Sequence, residues 1–187
     1  MGTQGHFYGL ASRVLRKART GLFYVIVFHV VRVFCDALIP NFHAGNRVRG
    51  FLFRPFFKRC GKRFAIASGC TINGAWNLSV GDDVYIAHRC WINATGGLVL
   101  EDGVIISPNV VIATTSHARE GNKVSLRKSN LSPIRIGAGS WIASNSVVTK
   151  GSIIAEGVIV SAGSVVSCNL ERNALYSGNP LVLKRRL

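Results

Sequence analysis

Between residues 80 and 170, aliphatic side chains recur at every sixth position: Val80, Ile86 and Ile92, then Leu100, Ile106 and Ile112, then Ile136, Ile142, Val148, Ile154, Val160 and Val166. Counting each of these as the first residue of a unit, the fifth is small or short, as at Val84, Cys90, Val104, Val110, Ser116, Ser140, Ser146, Ser152, Val158 and Ser164. The second is often Gly, Ala or Ser, as at Gly81, Ala87, Ser107, Ala113, Gly137, Ala143, Ala155 and Ser161. A helix repeats its apolar residues every three or four positions, and a half-buried strand every two. A fixed period of six instead predicts a parallel β-solenoid. Three short strands make one triangular coil, and the aliphatic residue of each unit points inward onto its equivalent one coil away.

The breaks in the rhythm agree with this. Upstream, Ile66 and Ile72 fit the end of an earlier coil. Extra residues fall only after a third unit: 72 to 80 and 92 to 100 are eight steps, and 112 to 136 is twenty-four. All insertions are therefore predicted to leave from one corner of the prism, the longest as a loop over 118–135. About five coils at a spacing of roughly 4.8 Å give a prism some 24 Å tall.

Ahead of the repeats the pattern changes. Residues 10–20 read as a basic amphipathic helix, and an apolar stretch from Gly21 to Ile39 is closed by Pro40. Its uninterrupted part runs only from Leu22 to Phe28 before His29, Arg32 and Asp36 break it. That falls short of the roughly 20 apolar residues of a membrane span. No small-residue cleavage site follows, so a signal peptide is not expected. The chain divides into a capping region at 1–63, a solenoid domain at 64–171 and a C-terminal tail at 172–187.

Charge sharpens this division. The formal net charge is +15. Residues 1–63 hold twelve Lys or Arg against a single acid, Asp36, whereas residues 64–187 hold eleven against seven. Basic residues between 47 and 63 alternate with Phe51, Leu52, Phe53, Phe56 and Phe57. This composition suits an interface with anionic lipid. The alternative is that these segments only cover the open end of the solenoid, whose core and backbone edge need a cap. Nucleic acid is not expected as a partner, because the charges sit among large apolar side chains without a known motif. The five cysteines, at 35, 60, 70, 90 and 168, lack metal-ligand spacing. Cys70 and Cys90 fall at the inward fifth position and read as small buried thiols. No metal site is expected, and nothing calls for an oxidising compartment.

Three stretches carry a resemblance: Ile106-Ser-Pro-Asn-Val-Val-Ile-Ala-Thr-Thr-Ser-His117, Ile136-Gly-Ala-Gly-Ser-Trp-Ile-Ala143, and Ser177-Gly-Asn-Pro-Leu-Val-Leu-Lys-Arg185. From about residue 64 to 187 the chain resembles the hexapeptide-repeat acyltransferases, in the branch of galactoside, maltose and polysaccharide O-acetyltransferases. The fold this implies is all-β, a left-handed parallel β-helix with an N-terminal helical appendage. The left hand comes from the resemblance alone, since the general rule for β-crossovers points the other way.

The resemblance also implies a reaction and a set of roles. His117 matches a general base that takes a proton from an acceptor hydroxyl, which attacks acetyl-CoA directly without an acyl-enzyme. A backbone N–H near Trp141-Ile-Ala-Ser144 matches the oxyanion donor. Trp141 matches a tryptophan beside the active site, in contact with cofactor and acceptor. Ala143, Ser144, Ala162 and Ser167 match the neighbourhood of the pantetheine arm. Arg185 matches a basic residue near the nucleotide phosphates, a role open also to Lys184 and Arg186.

The chain departs from the family at Ala87, where relatives carry Asn, at Thr95, where they carry an acceptor-binding Asp, and at Cys168, where a Lys is common. Asn93 is a candidate replacement for the missing acceptor contact, and His88 reads as a surface residue. The expected enzyme is an acetyl-CoA-dependent O-acetyltransferase acting on a carbohydrate, a surface polysaccharide or its lipid-linked precursor. It is expected as a homotrimer with active sites between subunits, cytoplasmic and peripheral at the inner membrane face.

Three other readings remain open at the level of sequence. One is N-acetylation of a nucleotide-linked or lipid-linked amino sugar. A zinc solenoid of the carbonic-anhydrase kind needs three histidines, and the repeats hold only His88 and His117. A non-enzymatic scaffold leaves the His117 and Trp141 matches without a reason.

Overall fold

The computed structural model describes residues 21–187, so the basic helix expected over 10–20 lies outside them. Two helices come first, α1 (Leu22–Leu38) and α2 (His43–Phe53), then a short 3-10 turn at Arg54–Phe56. The chain then winds as a parallel β-solenoid with three faces. Face A holds β1 (Arg59–Cys60), β4 (Leu78–Val80), β7 (Leu98–Leu100), β12 (Ile134–Ile136) and β15 (Ile153–Ile154). Face B holds β2 (Ala65–Ile66), β5 (Tyr85–Ile86), β8 (Ile105–Ile106), β13 (Trp141–Ile142), β16 (Ile159–Val160) and β18 (Ala174–Ser177), edged by antiparallel β19 (Val182–Arg186). Face C holds β3 (Thr71–Asn73), β6 (Trp91–Asn93), β9 (Val111–Ala113), β14 (Val147–Thr149) and β17 (Val165–Val166).

The six-residue period is realised as in-register stacking. On face B, Ile66, Ile86, Ile106, Ile142, Val160 and Tyr176 pair in succession, each with the residue one coil away. All six are buried. The prism has about six coils rather than about five, because β18 continues face B beyond β16. The parallel ladder also begins earlier than residue 64, with β1 on β4.

The corners between faces A and B and between faces B and C are tight turns whose fourth residue is left-handed, such as Arg63 (φ 56°), Asn109 (φ 59°) and Asn145 (φ 60°). Type II turns require this. The fifth residue then points inward. The buried hydroxyls there are satisfied by the neighbouring coil: Ser140 Oγ donates to Ala155 O (2.9 Å) and Ser146 Oγ to Ser161 O (3.0 Å). Coils approach closely at Gly81, where a Cβ would lie 2.7 Å from the Asp102 backbone nitrogen.

Corner 3, between faces C and A, is the loose one. The expected loop is a β-hairpin there, β10 (Thr115–Glu120) against β11 (Lys123–Leu131). It leaves earlier than expected. Thr114 is buried, its hydroxyl donating to Asn93 O (2.7 Å) and accepting from the Gly96 N–H (2.8 Å). That bond ends the coil, so Ser116, expected inward by the six-residue count, is exposed on β10.

The helices cover the first coil. Phe28, Phe53, Phe56, Phe57 and Phe64 form one aromatic cluster, with neighbouring ring centroids 5.0–6.5 Å apart. Arg49, fully buried, ties three parts together. Its guanidinium donates to Ile66 O of the first coil (2.9 Å), to Ile39 O after α1 (2.6 Å) and to Asn46 Oδ1 of α2 (3.0 Å), and lies 3.5 Å from Asp36 of α1. Nothing in the hydrophobic pattern marks Arg49 for this position. The polar residues that break the apolar run do not break the helix: Arg32 and Asp36 pair across one turn at 3.4 Å on its inner side. No helix among the described residues is long and apolar enough to cross a membrane.

Candidate active site

His117 lies in β10, exposed, on the hairpin that projects from corner 3. Its Nδ1 is 3.0 Å from Ser125 O of β11. A carbonyl only accepts, so Nδ1 carries the proton and donates it. Nε2 is then the ring nitrogen left to accept a proton, as a general base must. Ser125 is buried, and its hydroxyl accepts from the N–H groups of Arg127 (3.3 Å) and Lys128 (3.1 Å). The carbonyl that orients His117 is thus held by a local turn within the hairpin. The motif match identifies His117 but carries no signal for Ser125, whose contribution is a backbone atom.

Beside the hairpin, Asn93 has both ends of its amide engaged. Nδ2 donates to Thr115 Oγ1 (3.1 Å), and Oδ1 accepts from the Thr95 N–H (3.0 Å). Asn93 therefore fastens the root of the hairpin to corner 3. Thr95 is exposed at the same corner, and so is Ser167, further up the prism.

A second group lies elsewhere. Trp141 is 44% exposed on the outer side of face B. Its indole N–H donates to Ser107 Oγ (2.8 Å), which fixes the ring plane. Ser107 enters the sequence reading only as a small second-position residue, and this contact depends on the in-register pairing of β13 with β8. Above Trp141, Ser144 and Ala162 stack at corner 2, between faces B and C, where Gly163 N–H donates to Ser144 O (2.9 Å).

The N–H groups of Trp141 and Ala143 donate to Val158 O (2.8 Å) and Val160 O (2.9 Å) within the ladder. That of Ser144 makes no hydrogen bond among the described residues. Ala87 occupies the same corner lower down, buried, its N–H donating to Ile106 O (2.8 Å).

Face B also carries Lys184 and Arg185 on β19, three strand spacings above Trp141, about 14 Å. Arg186 is paired with Glu171 at 2.7 Å, while Lys184 and Arg185 are exposed and have no ion-pair partner among the described residues. A cationic end on the same face as Trp141 suits an elongated anionic ligand.

The triangular section separates the two groups. Corner 3 is the vertex opposite face B, so His117, Asn93, Thr95 and Ser167 lie across the prism from Trp141, Lys184 and Arg185. One chain does not bring them together. In the core the thiols shift both ways: burial pushes Cys60 up to about 11 and raises Cys35, the adjoining Cys90 together with burial raises Cys70, and the hydrogen bond with Cys70 lowers Cys90. Among the described residues, no group of three His, Cys, Asp or Glu is placed to hold a metal ion.

No family model matches the chain. The Escherichia coli (strain K12) protein WcaF, described as a colanic acid biosynthesis acetyltransferase, is 30% identical over 139 residues, 74% of this chain and 75% of that protein. Two solved structures share the fold. A hexapeptide-repeat-containing acetyltransferase from Vibrio cholerae O1 biovar eltor, in complex with acetyl coenzyme A, matches with a TM-score of 0.77 at 20% identity, over 90% of this chain and 91% of that one. A galactoside acetyltransferase in complex with coenzyme A matches with a TM-score of 0.75 at 23% identity, over 86% and 79%.

Proposed function

Because this chain belongs to the hexapeptide-repeat acetyltransferases and is an acyltransferase, we propose that it moves the acetyl group of acetyl-CoA onto a hydroxyl of a carbohydrate, a surface polysaccharide or its lipid-linked precursor. The observation that carries the mechanism is the His117 Nδ1 contact to Ser125 O, which leaves Nε2 as the acceptor. Nε2 takes the proton of the sugar hydroxyl as its oxygen attacks the thioester carbonyl. The resulting oxyanion accepts from the Ser144 N–H, the donor that the ladder leaves free. The carbon–sulfur bond then breaks, and the thiolate of CoA takes the proton back from His117. Trp141 walls the site, and Lys184 and Arg185 meet the phosphates of the nucleotide.

Since His117 and the Trp141 group lie on opposite sides of one prism, each site takes its base from one subunit and its Trp141 face from another. Three copies about a three-fold axis complete three such sites, a closed symmetry common for identical subunits.

The test uses a panel of glycans and radiolabelled acetyl-CoA. His117→Ala should lower kcat by about 10²–10⁴-fold, with acetyl-CoA affinity and circular dichroism unchanged. Full kcat in that variant would remove His117 from the role of base. Alkaline hydroxylamine should release the label, because oxygen esters are cleaved by it and amides are not; a resistant product makes the reaction N-acetylation. Mixing His117→Ala chains with Ser144→Pro/Arg185→Gln chains should restore activity, because some sites regain both intact halves. Subunits that exchange without recovery place the whole site in one chain.

A further inference from the structure

The outward side of α1 is apolar apart from the exposed His29. Leu22 (76% exposed), Ile26 (50%), Val30 (47%), Val33 (48%), Phe34 (61%) and Leu38 (73%) face solvent. Their spacing is that of one helix face, and 17 residues make it about 25 Å long. The two charged residues of the helix, Arg32 and Asp36, are turned to the protein and paired there. Surface helices of water-soluble domains have the reverse arrangement, and a long exposed face that is apolar apart from one histidine marks a docking site.

Charge identifies the occupant. From residue 21 to 63 the only acid is Asp36, which is engaged by Arg32 and Arg49. Tyr24 donates to Pro55 O (3.1 Å), so exposed Arg54 and Lys58 flank the N-terminal end of the same helix. In sequence, Arg13, Arg16, Lys17 and Arg19 come immediately before it. Packing this face on the same face of a second copy would bring two strongly basic segments together. An anionic bilayer offers both partners at once, hydrocarbon for the apolar side chains and phosphate for the cations.

We infer that α1 is a membrane-docking helix, lying in one leaflet of an anionic bilayer with its outer face in the lipid and Arg54 and Lys58 at the headgroups. Arg49 and the phenylalanine cluster hold the helix rigidly on the first coil, so docking orients the whole prism. The inner flank of α1 (Tyr24, Phe28) and part of its outer side (Ile26, Val30) wall a groove of about 450 Å³ whose opposite wall is Ile72, Trp76 and Thr95. Thr95 belongs to corner 3, the corner that carries His117. Docking therefore holds the acceptor side of the site at the lipid surface, where a membrane-anchored glycan presents its sugars. This last consequence rests on the reaction proposed above, and the docking itself does not.

The experiment is co-sedimentation of the full chain with vesicles, without acetyl-CoA, so that its outcome is independent of the transferase reading. Binding is expected to vesicles of phosphatidylcholine with about one-third phosphatidylglycerol, little to pure phosphatidylcholine, and less as NaCl rises from about 0.1 M to about 0.5 M. The variant Leu22→Gln/Phe34→Gln/Leu38→Gln keeps every basic residue and should bind about tenfold more weakly or worse. Its circular dichroism and mass by light scattering should match the parent chain. Absence of binding by the parent overturns the inference. Undiminished binding by the variant does so too, because the basic residues alone then suffice. A variant that falls to a smaller assembly shows that a second copy covers the face, which equally overturns it.

Discussion

The solenoid and the helical cap use their apolar residues differently. In the solenoid, every fully buried aliphatic residue stacks on an equivalent one coil away, so the core is a column with no charge in it. Its outward positions are mixed: Trp91 and Ile105 lie among Thr71, Tyr85 and Asn93. In the cap the centre is a buried arginine, and α1 turns its own charges toward that centre and its largest aliphatic residues outward. A repeat propagates one local rule, so it needs no special residue to hold it together. The cap has no equivalent neighbour to stack on. It is attached by directional bonds of the Arg49 guanidinium and the Asn41 amide and by aromatic packing, which leaves its other side available for a surface outside the protein.

The comparison is broken most severely at Arg49. Replacing it by Ala removes the donor to the carbonyls of Ile39 and Ile66 and leaves the Asp36 carboxylate with Arg32 alone. The expected cost is about 3–5 kcal/mol, and it should be local. Hydrogen exchange ought to show α1 and α2 losing protection while β7 to β17 keep theirs. Uniform loss across the chain would mean that cap and solenoid unfold as one unit.

A milder change in the column tests the other half. Ile106→Val removes one buried methylene and should cost about 0.5–1.5 kcal/mol. Here the loss should appear as a single shift of the whole thermal transition, because Ile106 is braced by Ile86 and Ile142 on either side. The smallest effect belongs to Phe34→Gln. A side chain 61% exposed on the outer face of α1 has little packing to lose, so stability should stay within about 0.5 kcal/mol of the parent. A larger loss by thermal denaturation would show that this face is covered in solution.

Much of the solenoid was legible in the sequence because period and geometry are the same thing there. A six-residue unit at Ile86, Ile106 and Ile142 states both which side chain is inside and which residues become neighbours, since in-register stacking follows from the repeat length. The rule failed where the repeat stopped: Ser116 obeys the count but is exposed, because the buried Thr114 hydroxyl bonds to Asn93 and Gly96 and releases the chain two residues sooner. The candidate base was legible only through its resemblance to a family motif. Its orientation was not, because Ser125 acts through a carbonyl, an atom every residue has.

The sequence by itself determined the coil, the inward ladder and the single corner from which insertions leave, because each depends on residue type at a fixed spacing. Tertiary structure decided what depends on direction. It set Trp141 on the face opposite the corner of His117. It turned Arg32 and Asp36 inward, leaving the outer face of the helix interrupted by His29 alone among the three residues that break the run. It also buried Arg49 at the junction of cap and coil. None of these follows from spacing alone, because a pattern states which residues share a side of an element, while the neighbour that side meets is chosen only when the elements pack.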